Sequence, residues 1–555
     1  MIHAQRYVSS GTGMHSPVLN SRRVTYHADG KAVMRQVDFR VVFLLGVLFF
    51  LPYPARCAII HVPADKPTIQ EGVDASLDGD EILVADGIYT GSGNKDIDLF
   101  GKSLRIASEN GPERCIIDIE SNGRAFDLFD PENRDAVIEG FTIRNGFHWD
   151  GGGIRVLAGS AQIADCRIEN CVATREGGGV YLAASASMHD CDIISNSAFE
   201  KGGGIFCSQS SRIIRCRISS NTALNGGGVA TDARTCSISE TTITGNSASS
   251  GGGVYCDADQ LVLNRCIIRG NAVDFNGGGL FCDGYSATSL ENTIVDLNTA
   301  GRDGGGLYGD DQAAAIHMVN CLMDSNEAQH HGGGLACLES VNPVLVNSIV
   351  RSNAPDQFQA QKHTVRFCNV QGGCSGIGNI DADPGFIDAA TCDYRLQTTS
   401  ICMDTGTDET APTEDIDGYP RPSGGAFDIG PHEAEGRPSA IRVHLKIPTH
   451  VVHADDLFNV SLEIWNPSVP ADDSKLFVVL DLHGQYYCAP AFISFDYYEV
   501  AIPTGLSTFS IVPSFRWPDL GDSEFGIVWY SALLNPELTR LETPLSVFEF
   551  AWDCR

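Results

Sequence analysis

Residues 58–385 predict an all-β fold, a right-handed parallel β-helix of about twelve coils, and three observations predict it. First, Gly-Gly-Gly triplets begin at 151, 177, 202, 226, 251, 277, 304 and 332, in steps of 24 to 28 residues. Self-similarity at that period marks a solenoid. Second, a short strand follows each triplet, as in Val180–Leu182, Ile205–Cys207, Val254–Cys256, Leu280–Cys282 and Leu335–Cys337. A second strand then places apolar, Cys or Thr, apolar and Asn residues at fixed offsets, as in Met188, Cys191, Ile193 and Asn196. That period-two alternation belongs to strands with one face inward. Third, no segment between triplets has helical spacing, which excludes leucine-rich and helical repeats.

Stacking fixes the expected role of each repeated residue, because equivalent positions lie one strand spacing apart, about 4.8 Å. The triplets belong where the chain turns sharply and coils approach closely. Asn196, Asn221, Asn246, Asn271, Asn298, Asn326 and Asn353 form a ladder at a bend, where Asn tolerates a left-handed backbone and can bond its stacked neighbours. Cys191, Cys216 and Cys266, with Thr241 and Thr293 between them, form an inward row read as small buried thiols. Cys392 and Cys402, beyond the coils, are the disulfide candidate.

Upstream, Arg35 and Arg40 precede the apolar run 41–51, and Pro52, Pro54, Ala55 and Ala58 follow it. Eleven residues are too few to span a bilayer, and this order reads as a secretory signal peptide at 34–57. Met34 is then the expected start, with 1–33 an artefactual extension. No second apolar span follows, so no membrane crossing is expected in the mature chain. Asp and Glu number 70 against 38 Lys and Arg, a formal charge of −32 that argues against nucleic acid as a partner.

The run Asn196-Ser-Ala-Phe-Glu-Lys-Gly-Gly-Gly-Ile-Phe206 resembles the repeats of chlamydial polymorphic outer-membrane proteins. The stretch Pro67–Tyr89 is similar to the opening of pectin-lyase-like β-helix proteins; Ile69, Val73 and Leu77 share one helical face there and would cap the first coil. The motifs around Asp383-Pro-Gly-Phe386, Asp404-Thr-Gly406, Asp417-Gly-Tyr-Pro-Arg-Pro422 and Asp428-Ile-Gly-Pro-His-Glu433 resemble the choice-of-anchor Q region of bacterial surface proteins. That resemblance implies a closing region at 386–433 and an exported or surface location. Residues 434–440 read as a linker, and seven β-rich segments between 441 and 555 predict a small immunoglobulin-like sandwich.

Chemistry is less legible. The resemblance to pectin-lyase-like proteins raises polysaccharide cleavage, but of the pectinolytic motifs this chain has only Asp310-Asp311, with no basic motif beside it. No catalytic residue and no metal site are assigned. His330-His331 lacks a nearby third ligand, and Trp149 is either a sugar platform or a lid on the first regular coil. What remains is an outward stripe. Position two of the post-triplet strand gives Tyr255, Phe281 and Tyr308, and two residues later come Asp232, Asp257, Asp283 and Asp310 on four successive coils. Rings can stack on sugars, and carboxylates can accept sugar hydroxyls or hold Ca²⁺. The plainer readings are aromatics suited to strands and Asp marking the next turn, or a surface covered by the C-terminal domain. Binding of an extracellular polysaccharide or cell-surface component, without catalysis, is the leading expectation. A lyase or hydrolase acting on an acidic polysaccharide and a structural envelope protein are the alternatives.

Overall fold

Short β-branched strands flanked by Gly, Asn and Asp cannot bury their apolar face alone, and here they do so by winding into a solenoid. The computed structural model describes residues 57–129, 136–284, 286–310 and 315–434, and beyond them strand segments between 442 and 552. Residues 1–56, with the expected leader, lie outside the described residues. Four parallel sheets run along the solenoid, of 13, 12, 8 and 10 strands. They are called here the first face (Ile59–Val62 to Thr364–Arg366), the second face (Gly87–Tyr89 to Asn369–Val370), the arm (Phe147–Asp150 to Glu327–Ala328) and the groove face (Phe126–Leu128 to Phe358–Gln359). In a regular coil the chain visits them in that order. The register repeats without slippage on the groove face: Val180, Ile205, Val229, Val254, Leu280, Leu307 and Leu335 pair in succession, all fully buried.

The corners explain the polar ladders. At the bend between the second face and the arm, the left-handed residue is the one before each Asn: Ser195, Ser220, Gly245, Gly270, Leu297, Ser325 and Ser352, with φ of 54° to 62°. The ladder asparagines are therefore not chosen for backbone tolerance, contrary to the sequence expectation. They are chosen for their amides. Asn221 Nδ2 donates to Asn246 Oδ1 at 3.0 Å and to the Ile193 carbonyl at 2.9 Å, while the Asn221 amide N–H reaches the same Asn246 Oδ1 at 2.9 Å. The pattern repeats from Asn196 to Asn353. Each buried amide is thus paired on both its donors and its acceptor.

The Cys row follows similar logic. Cys216, Cys266 and Cys321 lie at the equivalent corner position to Thr241, Thr293 and Ser348, and each donates to the carbonyl two residues back. Cys, Thr and Ser interchange because all three are small donors. Burial pushes the thiols of Cys266, Cys321 and Cys368 up to about 12, which keeps them protonated and inert. Cys392 and Cys402 also stand as free thiols. Cys402 is buried with Asn369 Nδ2 at 3.2 Å from its sulfur, while Cys392 is half-buried at the left-handed end of a short turn, so the expected disulfide is not formed.

The N-terminal cap is a single helix, Ile69–Ala75, whose first turn is capped by the Thr68 hydroxyl. Ile69 and Val73 are buried as expected, but the helix ends before Leu77, which is 74% exposed. The closing region folds back along the flank of the later coils. Asn292, Asn320 and Asn347, at the corner between the first and second faces, donate to the carbonyls of Glu414, Asp428 and Thr407. Tyr394, Leu396, Cys402, Met403 and Ile429 cover the outer residues Ile294, Leu322 and Ile349. The C-terminal strands pair into one three-stranded antiparallel sheet and one mainly antiparallel six-stranded sheet. Val460, Leu462, Ile464, Leu476 and Val478 alternate along their strands and are buried.

Two glycines separate backbone freedom from close packing. Gly245 has φ of +62° and nothing within 4 Å of an added Cβ, whereas a Cβ on Gly278 would lie 2.4 Å from the Gly305 carbonyl oxygen. Gly245→Ala is expected to cost about 1 kcal/mol, the left-handed penalty alone. Gly278→Ala should cost several times that, read as a larger fall in the urea midpoint.

Candidate binding groove

The first glycine of each triplet shows why the groove is concave. A Cβ on Gly251 would lie 2.9 Å from the Cβ of Tyr255, and one on Gly304 would lie 2.8 Å from the Cβ of Tyr308. The chain therefore folds back toward its own outer surface, so the arm and the outer side of the groove face meet at an inside corner. Along the floor of that corner runs one register: Asp127, Arg155, Tyr181, Phe206, Ala230, Tyr255, Phe281, Tyr308 and Ala336.

The stripe read from the sequence is present, with one correction. Tyr255, Phe281 and Tyr308 point away from the interior and pack in a cluster of their own. They are nevertheless only 8% exposed. Rings on adjacent rungs sit one stacking distance apart: Tyr255 and Phe281 have centroids 5.2 Å apart, and Phe281 and Tyr308 5.1 Å. Their faces are spent on one another, so they offer no open platform to a sugar ring. Trp149, 70% exposed at the arm, does present an open ring.

Asp232, Asp257, Asp283 and Asp310 stand on successive rungs beside the rings, each amide bonding to the coil before it. The Tyr255 hydroxyl donates to Asp283 Oδ2 at 2.5 Å. The arm supplies a second polar row, the residue before each triplet, in which Asp150, Glu176, Lys201 and Asn225 are register partners. Lys201 is a residue of this groove that the sequence does not single out. Its ammonium lies 3.8 Å from Asp257 Oδ2 and 5.8 Å from the centre of the Tyr255 ring, above the gap left by Ala230. Its place in the sequence, directly before the Gly202–Gly204 triplet and outside the post-triplet strand Ile205–Cys207, is the signal that marks it.

Burial raises the carboxyls of Glu176, Asp232 and Asp257, and Lys201 opposes that rise at all three. Burial also raises the Tyr255 hydroxyl, helped by Asp283, which keeps it protonated and a donor. At the other end of the floor, Arg155 grips Asp127 with two bonds of 2.8 and 2.7 Å. Arg124 beside them is fully buried and pulled down to about 10 by desolvation. Among the described residues, the group whose ligand atoms converge is Asp415, Asp417 and His432, in the closing region. There Asp415 accepts the backbone N–H groups of Asp417, Tyr419 and Glu433, and His432 bonds Asp417, so the group is a bonded turn.

The family described as a right-handed β-helix region matches residues 116–262 and 152–320 of this chain. No curated protein matches it. A solved structure similar to it is a mannuronic acid-specific polysaccharide family 6 lyase from human gut microbiota, 11% identical, with a TM-score of 0.28, covering 59% of this chain and 92% of that one. The class defined by the coils is thus an all-β protein built on a right-handed parallel β-helix.

Lys201→Met removes the one influence from the arm that lowers Asp257, so the Asp257 carboxyl is expected to titrate at higher pH than in the parent. Carboxyl-carbon NMR across the acidic range checks this, and an unchanged titration would show that Lys201 does not act on it.

Proposed function

We propose that this is an exported or surface-associated protein that binds an extracellular glycan along the groove without cleaving it. The observation that carries the reading is the concave floor itself. It offers carboxylates on four successive rungs about 4.8 Å apart, close to one sugar unit of an extended chain, with Lys201 and Arg155 as donors. Hydroxyl-to-carboxylate bonds would supply affinity, and the single wall of the arm would fix direction. With the ring faces of the stripe engaged, Trp149 is the stacking residue this reading uses. Ca²⁺ held by the rung carboxylates would extend binding to acidic glycans.

Catalysis is the second reading, and Lys201 favours it. Its ammonium beside Asp257, with the Tyr255 hydroxyl on the same floor, supplies the basic group that the sequence alone lacked beside an acid cluster. A lyase or hydrolase would use such a set for proton transfer.

A panel of neutral and acidic polysaccharides, assayed for retention and for cleavage with and without Ca²⁺, tests both readings. Binding predicts retention without turnover, weakened about tenfold or more by Asp257→Asn with Asp283→Asn, the loss expected for hydrogen bonds to charged groups. Turnover abolished by those changes would replace the binding reading with the enzyme, and no retention on any glycan would overturn both.

A further inference from the structure

We propose that residues 386–434 act as a proton-tightened clasp, closed on the flank of the solenoid by a protonated Asp324 and loosened when that proton leaves. The geometry rests on one hydroxyl between two carboxylates. Tyr394 Oη lies 2.8 Å from Asp296 Oδ2 and 3.4 Å from Asp324 Oδ2. Those two aspartates are register partners on adjacent coils, and both are buried. A tyrosine hydroxyl has one proton to give, and Asp296 is the nearer acceptor. At 3.4 Å the same hydroxyl serves Asp324 only weakly, and a proton on Asp324 would turn that contact into a bond donated back to the tyrosine oxygen.

The surrounding charges agree. Asp296 is held by Arg269 through contacts of 2.8 and 3.0 Å, which pairs its negative charge. Arg351, the register partner of Asp324 on the next coil, directs its guanidinium to Asn369, the Ala382 carbonyl and Asp381. Asp324 is left with the hydroxyls of Ser325 and Ser352. From the clasp, Tyr394 faces it, the Cys392 thiol lies near Tyr394 and Arg269, and Asp393 is paired with Arg395. Burial raises the Asp324 carboxyl and Asp296 adds to the rise, which outweighs the lowering by the hydroxyls of Ser325, Ser352 and Tyr394.

The other end of the clasp has the same sense. Asp428 and Glu433 are buried together with one arginine, Arg421, whose Nη1 donates to Glu433 at 2.7 Å and whose Nη2 reaches Asn292 on the solenoid. Burial raises both acids; Glu433 and then Asp404 add to the rise at Asp428, while Arg421 and backbone amides oppose it at Glu433. Asp415 also faces Arg421. A carboxyl whose pKa is higher docked than free binds its proton more tightly when docked. Docking is therefore strongest in acid and weakens as pH rises through the docked value. The chain runs from this clasp into the C-terminal strands beginning at Arg442, so loosening it frees their connection to the coils.

Hydrogen–deuterium exchange on the full chain between acid and mildly alkaline pH, corrected for intrinsic rates, tests the clasp. Peptides covering 386–403 and 415–434 are expected to lose about tenfold in protection as pH rises, while peptides from coils 205–282 hold theirs. Asp324→Asn supplies a neutral donor at every pH, so it should flatten the slope of the 386–403 peptide and leave that of 415–434 in place. Tyr394→Phe should lower protection of 386–403 in acid. Equal protection across pH in the parent, or the parent slope retained in Asp324→Asn, would overturn the proposal. Changed protection in coils 205–282 would mark a misfolded variant, and the parent profile then decides alone.

Discussion

Parallel stacking at about 4.8 Å makes every residue of a regular coil the neighbour of its own equivalents. That constraint governs the rest of the molecule. A side chain is tolerated only if it can sit on itself: aliphatics inside, amides that pass a hydrogen bond along, small donors at corners, and glycine where one backbone lies against the next. Asn satisfies it because its amide donates forward and to a carbonyl while accepting two N–H groups. Carboxylates satisfy it poorly, since like charges one rung apart repel.

The groove follows from the way that constraint is met at the triplets. The first glycine leaves room for the chain to fold toward its outer side, and this places a row of rings at the bottom of an inside corner. The rings then meet the stacking rule by lying on one another, which removes them as platforms and leaves the polar rows on either side to define the surface. The rung where the ring row is interrupted, Ala230, is where Lys201 crosses from the arm and balances the carboxylates.

The same rule is met differently on the flank. Asp296 and Asp324 stack on adjacent coils; Arg269 of the coil before and Tyr394 of the closing region both bond Asp296, and Asp324 is served by hydroxyls. The motifs around Asp404, Asp417 and Asp428 are bonded inward, to backbone amides, Arg421 and the corner asparagines of the coils. Their side chains hold this segment together and against the solenoid, so the motif reads as architecture.

The sequence by itself determined the β-helix, its coil length, its inward register and its Asn and Cys rows, because each is a periodic consequence of stacking and periodicity is visible in one dimension. It also located the carboxylate rungs Asp232 to Asp310. Tertiary structure alone decided the rest. Whether Tyr255 presents a face or an edge depends on what lies one coil away, and Lys201 joins Asp257 only because the chain returns at an inside corner, 56 residues later in sequence. That Cys392 and Cys402 stay apart, that Leu77 leaves the cap, and that the closing region lies along the flank are likewise matters of non-repeating contacts, which carry no period to read.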